Sequence, residues 1–428
     1  MSSTLRLLSK VATLVLSTSF LVSSVYAQFT PDIVSGSGSA YIDGKGLYVL
    51  GGTTTSDSAA TFATPKAFMI DLSTAWGVAS PAFKSLAEGP SSWGAGSSIS
   101  SDGKSWFSLV NNTGYVYDMD GGAWNTAIPA DNNIILDTPL KAVTDPDSGL
   151  IYIPNAYQDP KTGEIAMLRV DLKAKTFKSV SMMEVLRGVT FYSATWSASM
   201  GRLVYYSTWA EGLYSYSPSK GWKKENAKGD VPPPRVDACL VSAYEGHKIV
   251  LFGGYSRLSS KSLNDIYILD VDTMTWTKGP DADPSNQRDS AACASSKNYF
   301  IAWGGVVNNE NKDAMPDKAA LVFDIQSSNW TQQYDGTSAR VVQRYVPPRN
   351  SVPAILGGIL GTLAVLFAIM GYIIYRKRTK RTRVRDAEKA GEDDSKWFTK
   401  AMSPSNIKSN MSNIKSNMSN IKAKVMRG

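Results

Sequence analysis

Three stretches of this chain repeat one pattern: an apolar strand-like run, two glycines, a second run ending in Asp, and a tryptophan. Val49-Leu50-Gly51-Gly52 leads to Asp71 and Trp76, Leu251-Phe252-Gly253-Gly254 to Asp270 and Trp276, and Ala302-Trp303-Gly304-Gly305 to Asp324 and Trp330. A unit that recurs about every 50 residues and cannot bury its own apolar face must stack on copies of itself. Degraded copies fill the interval between the first and fifth. Asn111-Asn112 stands at the glycine position ahead of Trp124, Pro154-Asn155 ahead of Phe177, and the run Leu203–Tyr206 leads to Trp222. Six aromatic landmarks, Trp76, Trp124, Phe177, Trp222, Trp276 and Trp330, therefore predict an all-β fold of six sheets.

The chemistry of the repeat suits that geometry. Glycine permits a turn where a Cβ would collide, and a large aromatic fills the wedge between neighbouring sheets. Runs rich in Val, Ile, Tyr, Phe and Trp, separated by Gly, Asp, Asn and Ser, read as strand and turn throughout residues 28–342.

In Pro233-Pro234-Arg235, Gly253-Gly254, Tyr267, Leu269 and Trp276, the sequence resembles the kelch-repeat family. Arg288, Gly304-Gly305, Phe323 and Trp330 repeat the match, and Gly51-Gly52, Phe68 and Trp76 carry it in the first copy. The resemblance implies a six-bladed kelch-like β-propeller, and with the ends of the chain it points towards single-pass membrane kelch proteins of fungi. Copies two, three and four lack the double glycine.

The ends predict a topology. Residues 1–27 carry Arg6 and Lys10, an apolar stretch and Val25-Tyr26-Ala27, the form of a cleaved signal peptide. After a stalk at 343–351, residues 352–375 hold no charge and are long enough to cross a bilayer as a transmembrane helix. Seven Lys or Arg follow between Arg376 and Arg385, which marks a cytoplasmic side. The expectation is a type I plasma-membrane glycoprotein with its N-terminus outside and a basic cytoplasmic tail at 376–428. That tail has 15 Lys and Arg against 5 Asp and Glu, so the formal net charge of +8 belongs to it. It implies anionic inner-leaflet lipid as a partner and gives no reason to expect nucleic acid. The SNIKSNM repeats in 405–422 are expected to be mostly disordered, with a cytoplasmic partner as the alternative.

Composition restricts catalysis. Secreted copper oxidases, to which kelch propellers are related in architecture, use more than one histidine; this chain has one, His247, in a turn-like Glu245-Gly246-His247-Lys248. Copper and multi-histidine zinc chemistry cannot be assembled from it, and no nucleophile elbow accompanies it. The sequence predicts no enzyme, no cofactor and no metal. Cys239 and Cys293, four and five residues after Arg235 and Arg288, allow an inter-sheet disulfide or two buried thiols; the one-position offset favours thiols.

Binding should then fall to loops. The long excursions are Thr53–Ala63, Ala156–Gly163, Ser256–Leu263 and Val306–Pro316, and Tyr157, Tyr255, Arg257 and Asn308 are the candidate ligand residues. The expected ligand is a protein or a glycan, with a structural role in a wall or surface coat as the second reading and an atypical secretory-pathway propeller enzyme as the third. Asn111 and Asn329 open sequons that can be glycosylated.

Overall fold

The computed structural model describes residues 29–54, 63–136, 139–207, 212–309 and 312–336, together with Met370 and Tyr372. Residues 1–345 and 346–428 form two separate compact units. Among the described residues of the first, six of the sheets are each an antiparallel meander in which the chain adds one strand after another, and two smaller sheets accompany them. Sheet one is Gly38–Ile42, Gly46–Leu50, Ala67–Asp71 and Phe83–Ser85; sheet two is Gly96–Ile99, Ser105–Val110, Thr113–Asp118 and Ala123–Ile128. Sheet three is Val143–Thr144, Ile151–Gln158, Ile165–Asp171 and Thr176–Val180; sheet four is Ser193–Ser197, Arg202–Ser207, Gly212–Ser217 and Gly221–Glu225. Sheet five is Cys239–Ala243, Lys248–Phe252, Ile266–Asp270 and Thr275–Lys278, with Lys228–Gly229 parallel to its outer strand. Sheet six is Ala292–Ser296, Tyr299–Trp303, Ala320–Asp324 and Asn329–Thr331.

Burial falls off from the second strand to the fourth. Gly46–Leu50 and Tyr299–Trp303 are buried at every position, because both faces of such a strand meet a neighbouring sheet. These are the continuous apolar runs seen in the sequence. Outer strands such as Ala123–Ile128 are largely exposed. Their aromatic anchors reach back to the preceding linker: Trp124 Nε1 donates to Ala87 O (3.0 Å), Trp222 Nε1 to Ser181 O (3.3 Å) and Trp330 Nε1 to Pro280 O (2.8 Å). Trp276 is buried among sheets four and five, and Trp76 packs on Tyr334 with centroids 5.0 Å apart. Phe177 packs against the core shared by sheets two and three.

The double glycines sit where the next repeat crosses close to the strand end. Gly52 N donates to Ser92 O (2.7 Å), Gly254 N to Arg288 O (2.9 Å) and Gly305 N to Val34 O (2.9 Å). A Cβ on Gly253 would lie 2.5 Å from Arg288 O, at a φ of +61°. Gly253→Ala is therefore expected to cost about 2 kcal/mol or more, from left-handed backbone and collision together. Gly103→Ala, at φ +68° with nothing within 4 Å, should cost only about 1 kcal/mol; urea midpoints compare the two. In the degraded copies asparagine supplies the same backbone: Asn111 and Asn112 have φ of 48° and 64°, and Asn155 has 56°. The Asn155 side chain then spans to the next linker, donating to Val189 O (3.0 Å) and accepting from Gly188 N (2.9 Å).

Several expectations are corrected. Instead of a closed propeller, the described residues show six separate sheets, and no four-stranded sheet combines strands from both ends of the chain. The two ends meet through the short pairing of Trp76–Gly77 with Gln333–Tyr334 and through loop hydrogen bonds. No helix among the described residues is long and apolar enough to cross a membrane, a task that needs about 20 consecutive helical residues. Within 352–375 only Met370 and Tyr372 are described. This corrects the expected transmembrane helix and single-pass type I topology. The plasma-membrane localisation, the inner-leaflet lipid contact and the cytoplasmic tail partner depended on that helix and are corrected with it. The signal peptide, the stalk and the tail repeats lie outside the described residues.

The cysteines are also corrected. Cys239 and Cys293 form a disulfide with Cα atoms 6.0 Å apart, joining the inner strands of sheets five and six. Their one-position offset does not separate them, because no hydrogen-bonded register runs between strands of different sheets.

Candidate interaction face and central cavity

Each sheet's four strands alternate in direction, so the turn between second and third strands lies at the same end as the linker to the next sheet. All long excursions and all linkers therefore share one side of the domain, the linker face. Two excursions pair there: Tyr255–Ser256 and Lys261–Ser262 join Val307–Asn309 and Lys312–Ala314 in a small sheet through Lys261 and Asn309.

The large apolar side chains left exposed among the described residues of 29–336 are Trp93, Leu136, Val185, Val231 and Leu258. The first four lie one per linker, between sheets one and two, two and three, three and four, and four and five. Leu258, 87% exposed, crowns the excursion of sheet five. Trp93 lies over Gly36, where a Cβ would meet its Nε1 at 2.4 Å.

Just below, backbone hydrogen bonds connect the starts of the inner strands. Leu140 N donates to Gly94 O (2.8 Å), Gly94 N to Gly36 O (2.7 Å), Gly36 N to Ser290 O (3.0 Å), Ser290 N to Asp237 O (3.1 Å) and Asp237 N to Phe191 O (3.4 Å). Gly36, Gly94, Phe191, Asp237 and Ser290 all have positive φ. Between sheets three and four Lys141 N donates instead to Tyr192 Oη (3.4 Å).

Inside this series lies a cavity of about 260 Å³, lined by the inner strands of all six sheets. Tyr41 donates to Ser242 O (2.9 Å) near its far end. Lys141 lines it, and burial pushes its amine below the usual lysine range, against the opposing pull of Asp237. Burial likewise raises the Asp237 carboxyl to about 7; Asp289 adds to the rise, while Lys141 and Arg257 oppose it. Asp289 itself accepts from Ser262 Oγ (2.6 Å) and Ser290 Oγ (3.1 Å).

The candidate ligand residues are not gathered into one patch. Tyr255, Arg257 and Asn308 belong to the excursions of sheets five and six; Arg257 is exposed and Tyr255 half-buried. Asn308 lies in a strand of the small sheet, and its backbone N donates to Ser262 Oγ (2.8 Å). Tyr157 is buried in its strand and donates to Asp131 Oδ2 (2.8 Å); burial, then that carboxylate, pushes it up to about 12. Asn111 and Asn329 are exposed, Asn111 in a turn and Asn329 at the start of an outer strand. Arg235 and Arg288 hold strand ends instead of lining the cavity: Arg235 pairs with Asp265, and Arg288 donates to the carbonyls of Asn286, Gly304, Lys318 and Ala319. Lys141 and Asp237 escaped the sequence reading. Asp237 could have been found by counting back from the double glycine, since it occupies the place of Gly36; Lys141 carries no such signal.

Comparison with known families matches residues 209–359 to the KLHDC2/KLHL20/DRC7 Kelch-repeats domain. Similar proteins include Dynein regulatory complex subunit 7 of Chlamydomonas reinhardtii, 33% identical over 85 residues, covering 20% of this chain and 7% of that protein. Acyl-CoA-binding domain-containing protein 5 of Arabidopsis thaliana is 34% identical over 100 residues, covering 22% and 14%. Kelch domain-containing protein 3 of Rattus norvegicus is 30% identical over 112 residues, covering 23% and 28%. The chain thus spans a minor part of each. Among solved structures, that titled "Structure of YjhT" aligns with a TM-score of 0.52 at 11% identity, over 71% of this chain and 98% of that one, a likeness of fold alone. These relatives are algal, plant and mammalian, and they replace the expected resemblance to fungal membrane kelch proteins. Among the described residues no group of three His, Cys, Asp or Glu could hold a metal ion. Residues 209–359 are thus similar to a kelch-repeat domain, a likeness that supports a protein-interaction role in general.

Proposed function

We propose that the domain engages its partner, a polypeptide, through the linker face. The observation that carries this reading is the segregation of Trp93, Leu136, Val185, Val231 and Leu258 onto segments at one end of the sheets. Scattered apolar side chains need no explanation, but a set confined to one face marks a contact surface. An exposed tryptophan and a fully projecting leucine are side chains of the size that dominates binding energy when a partner covers them. The repeats supply the rigid support, and the unequal linkers and excursions supply selectivity.

Crosslinking the full-length chain in a native extract, followed by mass spectrometry, should place partner crosslinks on linkers and excursions. With the partner so identified, Trp93→Asp and Leu258→Asp should each weaken binding by about tenfold or more. Lys104→Asp, in the opposite-side turn of sheet two, should leave it unchanged. Equal affinity of all three variants would sink the reading.

A further inference from the structure

The central cavity has a chemistry distinct from that of the apolar side chains around it. Of its hydroxyls, Ser97 bonds to Ser108 (2.6 Å), Ser98 to Thr144 (2.7 Å) and Ser193 to Ala238 O (2.7 Å). Ser37 and Thr195, each 9% exposed, line the cavity, and their hydroxyls make no hydrogen bond to another described side chain or backbone group. They sit on sheets one and four, three places apart in the order of the sheets. Lys141, on sheet three, likewise makes no side-chain hydrogen bond or ion pair there. Polar groups that open onto a cavity without protein partners are free to bond whatever replaces the water there.

We propose that this cavity binds a small hydroxyl-rich carboxylate, with its anionic end on Lys141 and its hydroxyls on Ser37 and Thr195. The volume of about 260 Å³ admits a compact molecule and excludes a folded chain segment. Water alone would occupy it at about 30 Å³ per molecule, so a ligand must replace several waters with matched hydrogen bonds. One ammonium near Asp237 and Asp289 suits a single negative charge, since a dianion would meet both carboxylates. The ligand's carboxylate gives Lys141 the counter-charge that burial demands.

The rim makes binding pH-dependent. The groups facing Asp237 are Lys141, Asp289 and Arg257, and burial raises the carboxyl to about 7. As pH rises through that value Asp237 becomes charged and repels the anion, so affinity falls between about pH 6 and pH 8.

Isothermal titration of the full-length chain tests this with gluconate, glucose and hexanoate as probes. Gluconate should bind, with glucose and hexanoate weaker by about tenfold or more, because one lacks the charge and the other the hydroxyls. Lys141→Met should cost gluconate about tenfold, Thr195→Val a smaller factor, and Asp237→Asn should flatten the pH dependence. Thermal melts establish that the variants are folded, and Thr195→Val provides a readout if Lys141→Met is not. The proposal is overturned if gluconate gives no heat up to about 10 mM, if hexanoate matches it, or if folded Lys141→Met binds as the parent does. None of these outcomes bears on the linker face, since Trp93 and Leu258 lie outside the cavity.

Discussion

Arg235→Met is expected to lower the free energy of unfolding by about 3–5 kcal/mol, because it strands a buried carboxylate. The Arg235 side chain is wholly buried and that of Asp265 is 13% exposed. Nη2 donates to Asp265 Oδ2 (2.9 Å), Nη1 pairs with Oδ1, Nε donates to Pro233 O (3.0 Å) and Nη1 also to Gly253 O (3.1 Å). One side chain thus ties the lead into sheet five to the double glycine and to the following strand. The guanidinium also lies 5.2 Å from the Tyr267 ring centroid. Urea denaturation of Arg235→Met, Asp265→Asn and the double variant separates the coupled part from the rest, and the double variant should be less damaged than the sum of the single ones. A loss below about 1 kcal/mol for Arg235→Met would mean that water, not the arginine, satisfies Asp265. Arg288 makes the useful contrast: it is bound by carbonyls alone, and burial pulls its pKa down to about 9.

The paired substitution Cys239→Ala and Cys293→Ala should cost roughly 4 kcal/mol, the chain-entropy value for a closed loop of this size. The bond spans 54 residues and joins two inner strands that share no hydrogen-bonded register. Its removal therefore frees the seam between sheets five and six in the unfolded chain while leaving each sheet's own ladder intact. Denaturation midpoints with and without dithiothreitol give the same comparison in the parent protein. Identical midpoints in both conditions would show that the cross-link contributes nothing to stability.

Much of the fold was legible because the repeat is a packing solution written in residue types. The runs around Leu50, Phe252 and Trp303 are apolar without alternation, since those strands are buried on both faces. Asn111, Asn112 and Asn155 could stand for glycine because asparagine tolerates the left-handed region. Tyr157 was misjudged for a local reason: a bulge between Ile153 and Tyr157 carries the strand on through what reads as a loop, so the ring turns inward to Asp131. The linker face was only partly legible. Periodicity finds strands, but whether Trp93 or Val231 is covered depends on what lies above the linker, and nothing in the neighbouring sequence encodes that.

By itself the sequence determined the strand-and-turn content, the recurrence of the aromatic landmarks and the presence of a single histidine, because each follows from residue type and spacing alone. Only the tertiary structure decided the rest. It bonded Cys239 to Cys293 and paired Arg235 with Asp265. It also collected the exposed apolar side chains on one face, and set Lys141 in a cavity lined by all six sheets, within electrostatic reach of Asp237. The physical reason is that these are relations between sheets, where partners stand 30 to 100 residues apart and proximity is fixed by how whole sheets pack, not by any local pattern.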